Sequence, residues 1–285
     1  MTVQHSVVTG AGGYIGRHVV SQLLALGHEV TAIVRPGSRR DVDPRAHVLE
    51  LDVLDPATDV SDLVSGHRTT LIHLAWQDGF NHNASSHMEL LSAHYRFLLS
   101  AVEAGVSRLA VLGTMHEVGY WEGAIDAETP TNPISLYGIA KDALRRALFA
   151  SVADRVTFQW LRCFYILGDD LNNQSIFTRL LQAAARGDSE FPFTSGVNKY
   201  DFIEVDELAE QIAVVASQDA VHGVINCSSG APIALGAKVE SFIESRGLKL
   251  DLKYGAYPDR QYDSPGVWGD ATVIQELLGS RAEAR

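Results

Sequence analysis

From the amino terminus onward, short apolar runs alternate with stretches in which apolar residues recur every three or four positions. Residues 5–9 are rich in β-branched side chains and run into Gly10. After them Ile15, Val19, Val20, Leu23 and Leu24 share one helical face, which Gly27 closes. Apolar runs at 29–34, 46–53, 69–75, 108–114 and 156–163 predict five further strands. Two long helices are expected among them. The first is 84–104, with Leu91, Tyr95, Leu98 and Val102 on one stripe; the second is 135–150, where Ala140, Ala143, Ala147 and Ala150 permit close helix contact. Strands that are apolar along their whole length and alternate with helices imply a parallel sheet covered on both faces.

Beyond Gly168 this rhythm changes. A loop holding Asp169, Asp170, Asn172 and Asn173 leads to a helix near 175–186, and 191–205 reads as strand pieces broken by Pro192 and Gly196. A helix at 206–217 and a strand at 222–227 are expected to return to the main sheet. Residues 234–285 hold another helix, a strand at 248–254 and a last helix near 270–278. The expected organisation is α/β: one domain over 1–167, rejoined by 200–227, and a smaller interleaved part from 168–199 and 228–285.

Composition narrows the partners. With 285 residues, 46% of them hydrophobic and 20% charged, the chain is an ordinary globular one. Its 23 Lys and Arg against 35 Asp and Glu give a net charge of −12, which repels nucleic acid and anionic lipid. No window holds 18 uninterrupted apolar residues, so no membrane span is expected. Cys163 and Cys227 both lie in apolar runs, and the amino terminus lacks the pattern of a signal peptide. A cytoplasmic protein is the expectation.

The chemistry starts at the first strand-to-helix junction. In TGAGGYIG, Gly10, Gly13 and Gly16 let the backbone turn tightly and approach a pyrophosphate at a helix amino terminus. The second strand should end near an adenosine ribose. It ends in Val34 and Arg35, with Ser38, Arg39 and Arg40 behind, and this local positive charge favours NADP, with NAD the alternative. Asp52 either accepts from the adenine amino group or caps the turn before Pro56. Tyr137 and Lys141 lie four apart on one helix face, so the ammonium is expected to lower the phenol's pKa and fit it for acid–base work. Thr114, at the end of the fifth strand, should meet both around one carbonyl or alcohol oxygen.

Together these residues resemble an extended short-chain dehydrogenase/reductase of the NAD-dependent epimerase/dehydratase family, most of whose members act on nucleotide-activated sugars. Gly10, Gly13 and Gly16 match its cofactor loop, Thr114 its active-site Ser/Thr, and Tyr137 and Lys141 its YxxxK pair. The segment from Arg162 to Gly168 is similar to the family's RxxNxYG, with Tyr165 in place of the usual Asn; 199–209 and 258–264 also resemble family segments. The resemblance implies a Rossmann-type, doubly wound sheet. It also implies a dinucleotide lying against Gly10, Gly13, Tyr14, Ile15, Gly16, Arg35, Asp52, Val53, Leu74 and Ala75, with Tyr137 and Lys141 at its nicotinamide end. The resemblance places Arg260 at the nucleotide phosphates of a nucleotide-diphosphate sugar; His116 either touches the sugar or packs in its loop, Asn173 either binds the diphosphate or makes the loop turn, and Phe191 either stacks the base or belongs to the core. A homodimer through the helices at 84–104 and 135–150 is also implied.

Sugar dehydratases of the family follow the Thr with Asp-Glu; here Met115 and His116 stand there, and Glu117 is one residue late. GTMHEVG is instead similar to the GTxxEYG of 4-keto-6-deoxyhexose reductases, with Val118 for Tyr. The expected reaction is NADPH-dependent reduction of a nucleotide-linked 4-keto-6-deoxy sugar, with Tyr137 as general acid. The rivals are a sugar C4-epimerase with tightly bound NAD and a non-catalytic NAD(P)-binding regulator.

Overall fold

A computed structural model describes residues 4–38, 41–64, 68–168, 175–259 and 264–283. The first part of the chain forms β1 (His5–Thr9), α1 (Gly16–Ala25), β2 (Glu29–Val34), β3 (His47–Glu50), β4 (Thr69–His73), α2 (Ser86–Glu89) and α3 (Leu91–Glu103). It continues through β5 (Arg108–Thr114), β6 (Gly123–Ile125), α4 (Leu136–Ser151), β7 (Thr157–Cys163) and β8 (Tyr165–Leu167). The remainder forms α5 (Ile176–Arg186), β9 (Glu190–Pro192), β10 (Lys199–Glu204), α6 (Val205–Ala216) and β11 (Gly223–Cys227). Last come β12 (Pro232–Ala234), α7 (Leu235–Ser245), β13 (Asp251–Lys253), β14 (Gly266–Gly269) and α8 (Thr272–Glu283).

Seven parallel strands make the main sheet, in the order β11-β7-β5-β4-β1-β2-β3. Apolar side chains on both faces require cover on both. Val19, Val20 and Leu23 of α1, Leu208 and Ile212 of α6 and Ile274 of α8 close one face; Phe97, Leu98 and Val102 of α3 and Leu144 and Leu148 of α4 close the other. The chain runs outward one way from β1 and the other way from β4. Between them, at the carboxyl ends of the strands, this reversal leaves the crevice typical of doubly wound sheets.

The smaller part is built around a second sheet, β12-β10-β14-β6, with β8 also paired to β10, and a two-stranded pair of β9 and β13. It therefore takes β6 and β8 from the first part of the chain. The segment expected to rejoin the main sheet from residue 200 does so only from Val205: residues 199–204 are β10 of the second sheet. Asp201 explains why. Its buried carboxylate accepts from Ser229 N (2.9 Å), Ser229 Oγ (2.6 Å), Gly230 N (3.0 Å) and Gly269 N (3.0 Å), binding β10 to the turn after β11 and to the end of β14.

Other boundaries shift for local reasons. The third strand stops at Glu50, because Asp52 Oδ1 takes the amide of Leu54 (3.0 Å) and turns the chain. The helix expected over 84–104 divides at Leu90. Ahead of the division, His87 is tied to Trp76 Nε1 (3.0 Å) and to Asn81 O (2.9 Å).

Removing the Asp201 carboxylate leaves buried donors without an acceptor. Asp201→Ala is expected to lower unfolding stability by about 3 kcal/mol, read as a lower urea midpoint.

Candidate active site

The crevice is a cleft of about 1320 Å³ along the carboxyl ends of β1, β2, β4 and β5. Its wall begins with the β1–α1 loop. Gly10 has φ +69°, and a Cβ there would lie 2.8 Å from Ala75 N; a Cβ on Gly16 would lie 2.1 Å from Gly10 O. The loop is thus pressed between the end of β4 and the start of α1, closer than any side chain permits. At Ile15, α1 begins with no side-chain cap, and its first turn holds no acidic residue. The positive end of the helix is left for an anion. This donor set and the bare backbone of the loop fit the pyrophosphate of a dinucleotide.

After β2, Arg35 and Ser38 line the cleft. Glu50 of the neighbouring strand accepts from Gly37 N (3.2 Å), closing the loop that carries them. Asp52 also lines the cleft while capping its own turn, so both readings of this residue are compatible with its position.

The floor is formed by β5 and α4. Thr114 ends β5, its Oγ1 accepts from His116 N (3.3 Å), and its hydroxyl lies on the side of the phenol of Tyr137, where it favours the phenolate. Ser135 caps α4 by accepting from Gly138 N (3.2 Å), and Tyr137 N donates to His82 O (2.9 Å), so the phenol is fixed from its own backbone. Burial, with Cys163 and Glu117 nearby, pushes the Tyr137 pKa up, and the Thr114 hydroxyl opposes this only in part. The expectation of a phenol acidified by its lysine is corrected: desolvation dominates, and the phenol is firmly protonated. Lys141 itself is 2% exposed and donates to Leu112 O (2.7 Å), and burial brings its pKa down to about 8.

The residues after Thr114 have different surroundings. His116 lines the cleft, its ring 6.1 Å from that of Tyr137, and burial lowers its pKa to about 3. Glu117 instead points into the interior, where its carboxylate accepts from Thr114 N (2.7 Å) and from Trp160 Nε1 (2.9 and 3.0 Å). It braces the Thr114 turn and does not line the cleft.

One cleft therefore brings together Gly10, Gly13, Tyr14, Ile15, Gly16, Arg35, Asp52, Val53, Leu74, Ala75, Thr114, His116, Tyr137 and Lys141. Phe191 lies apart, in a hollow of about 290 Å³ shared with Arg179, Phe193 and Tyr257; the Phe193 ring itself is part of the core. Asn173 and Arg260, like Arg39, Arg40 and Asn172, lie outside the described residues. Trp76, His82 and His94, which no sequence motif singles out, also line the cleft. The signal available for Trp76 was its place just past the end of β4, the same rule that singled out Thr114.

Such a fold and cleft define an NAD(P)-dependent oxidoreductase of the extended short-chain dehydrogenase/reductase type. The model of the NAD dependent epimerase/dehydratase family matches residues 6–228, and the chain belongs to that family. A dTDP-6-deoxy-L-talose 4-dehydrogenase (NAD(+)) of Aggregatibacter actinomycetemcomitans is 45% identical over 92% of this chain and 98% of its own. A dTDP-6-deoxy-L-talose 4-dehydrogenase (NAD(P)(+)) of Kitasatospora kifunensis is 26% identical over 98% of this chain and 92% of its own. Among solved structures, MoeE5 in complex with UDP-glucuronic acid and NAD superposes with a TM-score of 0.78 at 26% identity, covering 96% of this chain and 92% of that one.

The Lys141 charge sets a testable trade-off. Its ordinary pKa is 10.5 and its folded value about 8, so between these pH values the unfolded chain binds more protons and stability rises with pH. Lys141→Met is expected to abolish turnover yet raise stability at pH 7 by about 1–2 kcal/mol, the buried-charge penalty less the bond lost at Leu112. In chemical denaturation the gain should shrink as pH rises above 8.

Proposed function

We propose that the protein interconverts the 4-keto and 4-hydroxyl forms of a dTDP-linked 6-deoxyhexose, using NAD(P). One observation carries the reading: Thr114, Tyr137 and Lys141 brought together on the cleft floor, with Met115 and His116 after the threonine rather than the two carboxyl groups that elimination requires. The relative that is 45% identical supports the substrate class, and its name states the oxidative direction of the same chemistry.

When bound, the nicotinamide supplies or takes the hydride at C4. Tyr137, held protonated by burial, gives its proton to the C4 oxygen in reduction and recovers it in oxidation. Thr114 donates to the same oxygen, so its bond strengthens as negative charge develops there. Lys141 offers the positive charge that compensates the phenolate left behind. His116 is read as a contact to the sugar and Phe191, with Arg179 and Tyr257 around it, as the contact to the base; Asn173 and Arg260 are read as diphosphate contacts.

For the dinucleotide, Arg35 and Ser38 support NADP, since a carboxylate is the group that repels a 2′-phosphate and β2 ends without one. The name of the 45% relative supports NAD. The reading includes a homodimer through α3 and α4, which light scattering would detect.

A dTDP-4-keto-6-deoxyhexose incubated with NADPH or NADH is expected to oxidise the cofactor stoichiometrically, followed at 340 nm. No decay across a panel of such sugars, or interconversion of sugars by tightly bound NAD without net redox change, overturns the reading. Tyr137→Phe should lower turnover about 100- to 10,000-fold while cofactor binding persists. Arg35→Asp should shift the ratio of NADPH to NADH efficiency toward NADH; an unchanged ratio removes the case for NADP.

A further inference from the structure

Beside the cleft floor, and lining the cleft through Trp76 and His94, lies an aromatic cluster to which the reaction outlined above assigns nothing. Lys141 Nζ stands 3.8 Å from the centroid of the Trp76 ring. Trp76 is itself immobilised from three sides. Its ring stacks on His94 with centroids 4.5 Å apart and planes 15° apart, and its edge meets Tyr137 at 6.2 Å. Its Nε1 donates to His87 Nδ1 (3.0 Å); an indole N–H can only donate, so that nitrogen accepts and His87 Nε2 donates to Asn81 O (2.9 Å). His94 Nδ1 is bonded to His73 Nε2 (3.0 Å), and His73 Nδ1 to Thr9 Oγ1 (2.9 Å). Residues from β1, β4, α2 and α3 thus fix the indole plane against the lysine that α4 carries.

We propose that Trp76 is the positioning residue of Lys141, its indole face holding the ammonium charged and in place beside Tyr137 through a desolvated cation–π contact. The proposal rests on the reading of Lys141 given under the proposed function. The physical need is plain. At 2% exposure the ammonium has three N–H groups and, among the described residues, one protein acceptor at hydrogen-bond distance, Leu112 O. Tryptophan offers the most negative ring face of any side chain, and a buried site is where that attraction is largest. The other groups facing the ammonium do not replace it. His73 and His94 are held neutral by burial, Tyr137 and Cys163 are held protonated by burial, and Glu117 is engaged with Trp160 and Thr114. A space-filling role would be met by any apolar side chain of similar size and would not depend on the electrons of the ring.

The test follows Lys141 directly in the full-length enzyme. The chain has five lysines, so 13Cε-lysine labelling gives five signals, and Lys141→Arg identifies the one of interest. Trp76→Leu is expected to lower the Lys141 titration midpoint by about one pH unit, and Trp76→Phe by less. Incorporating mono-, di- and trifluorinated tryptophan, which weakens the ring face with little change of shape, should lower the midpoint in graded steps; this series also carries the test if the leucine variant does not fold. An unchanged midpoint in the leucine variant, or a flat fluorinated series, overturns the proposal. The midpoint needs no substrate, so it separates this inference from the functional one. Graded midpoints with turnover of the 4-keto sugar unaffected would support the contact and refute the catalytic assignment of Lys141.

Discussion

A lysine ammonium sealed from water has to be solvated by the protein, and much of the cleft is arranged around that requirement. Lys141 obtains a carbonyl from the last turn of β5 and an aromatic face from the end of β4, so two neighbouring strands and α4 must meet at one point. The same closure desolvates Tyr137 and keeps its proton on. Burial therefore acts on the pair in opposite senses: it weakens the acid and makes the cation easier to discharge. A phenol in this state is suited to giving a proton to a developing alkoxide rather than to resting as a base.

The cleft exists because the sheet reverses direction between β1 and β4, and its two ends are prepared by different means. At the pyrophosphate end the work is done by backbone: Gly10 and Gly16 allow a loop too tight for side chains, and α1 presents an uncapped amino terminus. At the reacting end it is done by side chains held through buried hydrogen bonds. Glu117 shows how far that support extends, since it touches neither ligand cleft nor solvent and yet fixes the turn carrying Thr114 and His116. Asp201 plays the corresponding part between the two sheets, joining β10 of the smaller part to the turn after β11, the edge strand of the main sheet.

Much of this was legible in the order of residues. Periodicity alone is enough for a parallel, doubly wound sheet, because strands buried on both faces must be apolar throughout; spacing alone is enough to put Tyr137 and Lys141 on one helix face and the three glycines at one turn. These are local consequences of 3.6-residue and two-residue repeats and of chain reversal. What spacing could not reveal was direction. That Glu117 turns inward while His116 turns to the cleft, that Asp52 caps its own turn, and that residues 199–204 join the second sheet all depend on partners more than twenty residues away or on the packing of a short turn. The tertiary structure alone decided the sign of the phenol's pKa shift and the pairing of Lys141 with Trp76, because both arise from the exclusion of water by segments that are distant in sequence and adjacent only once the sheet has formed.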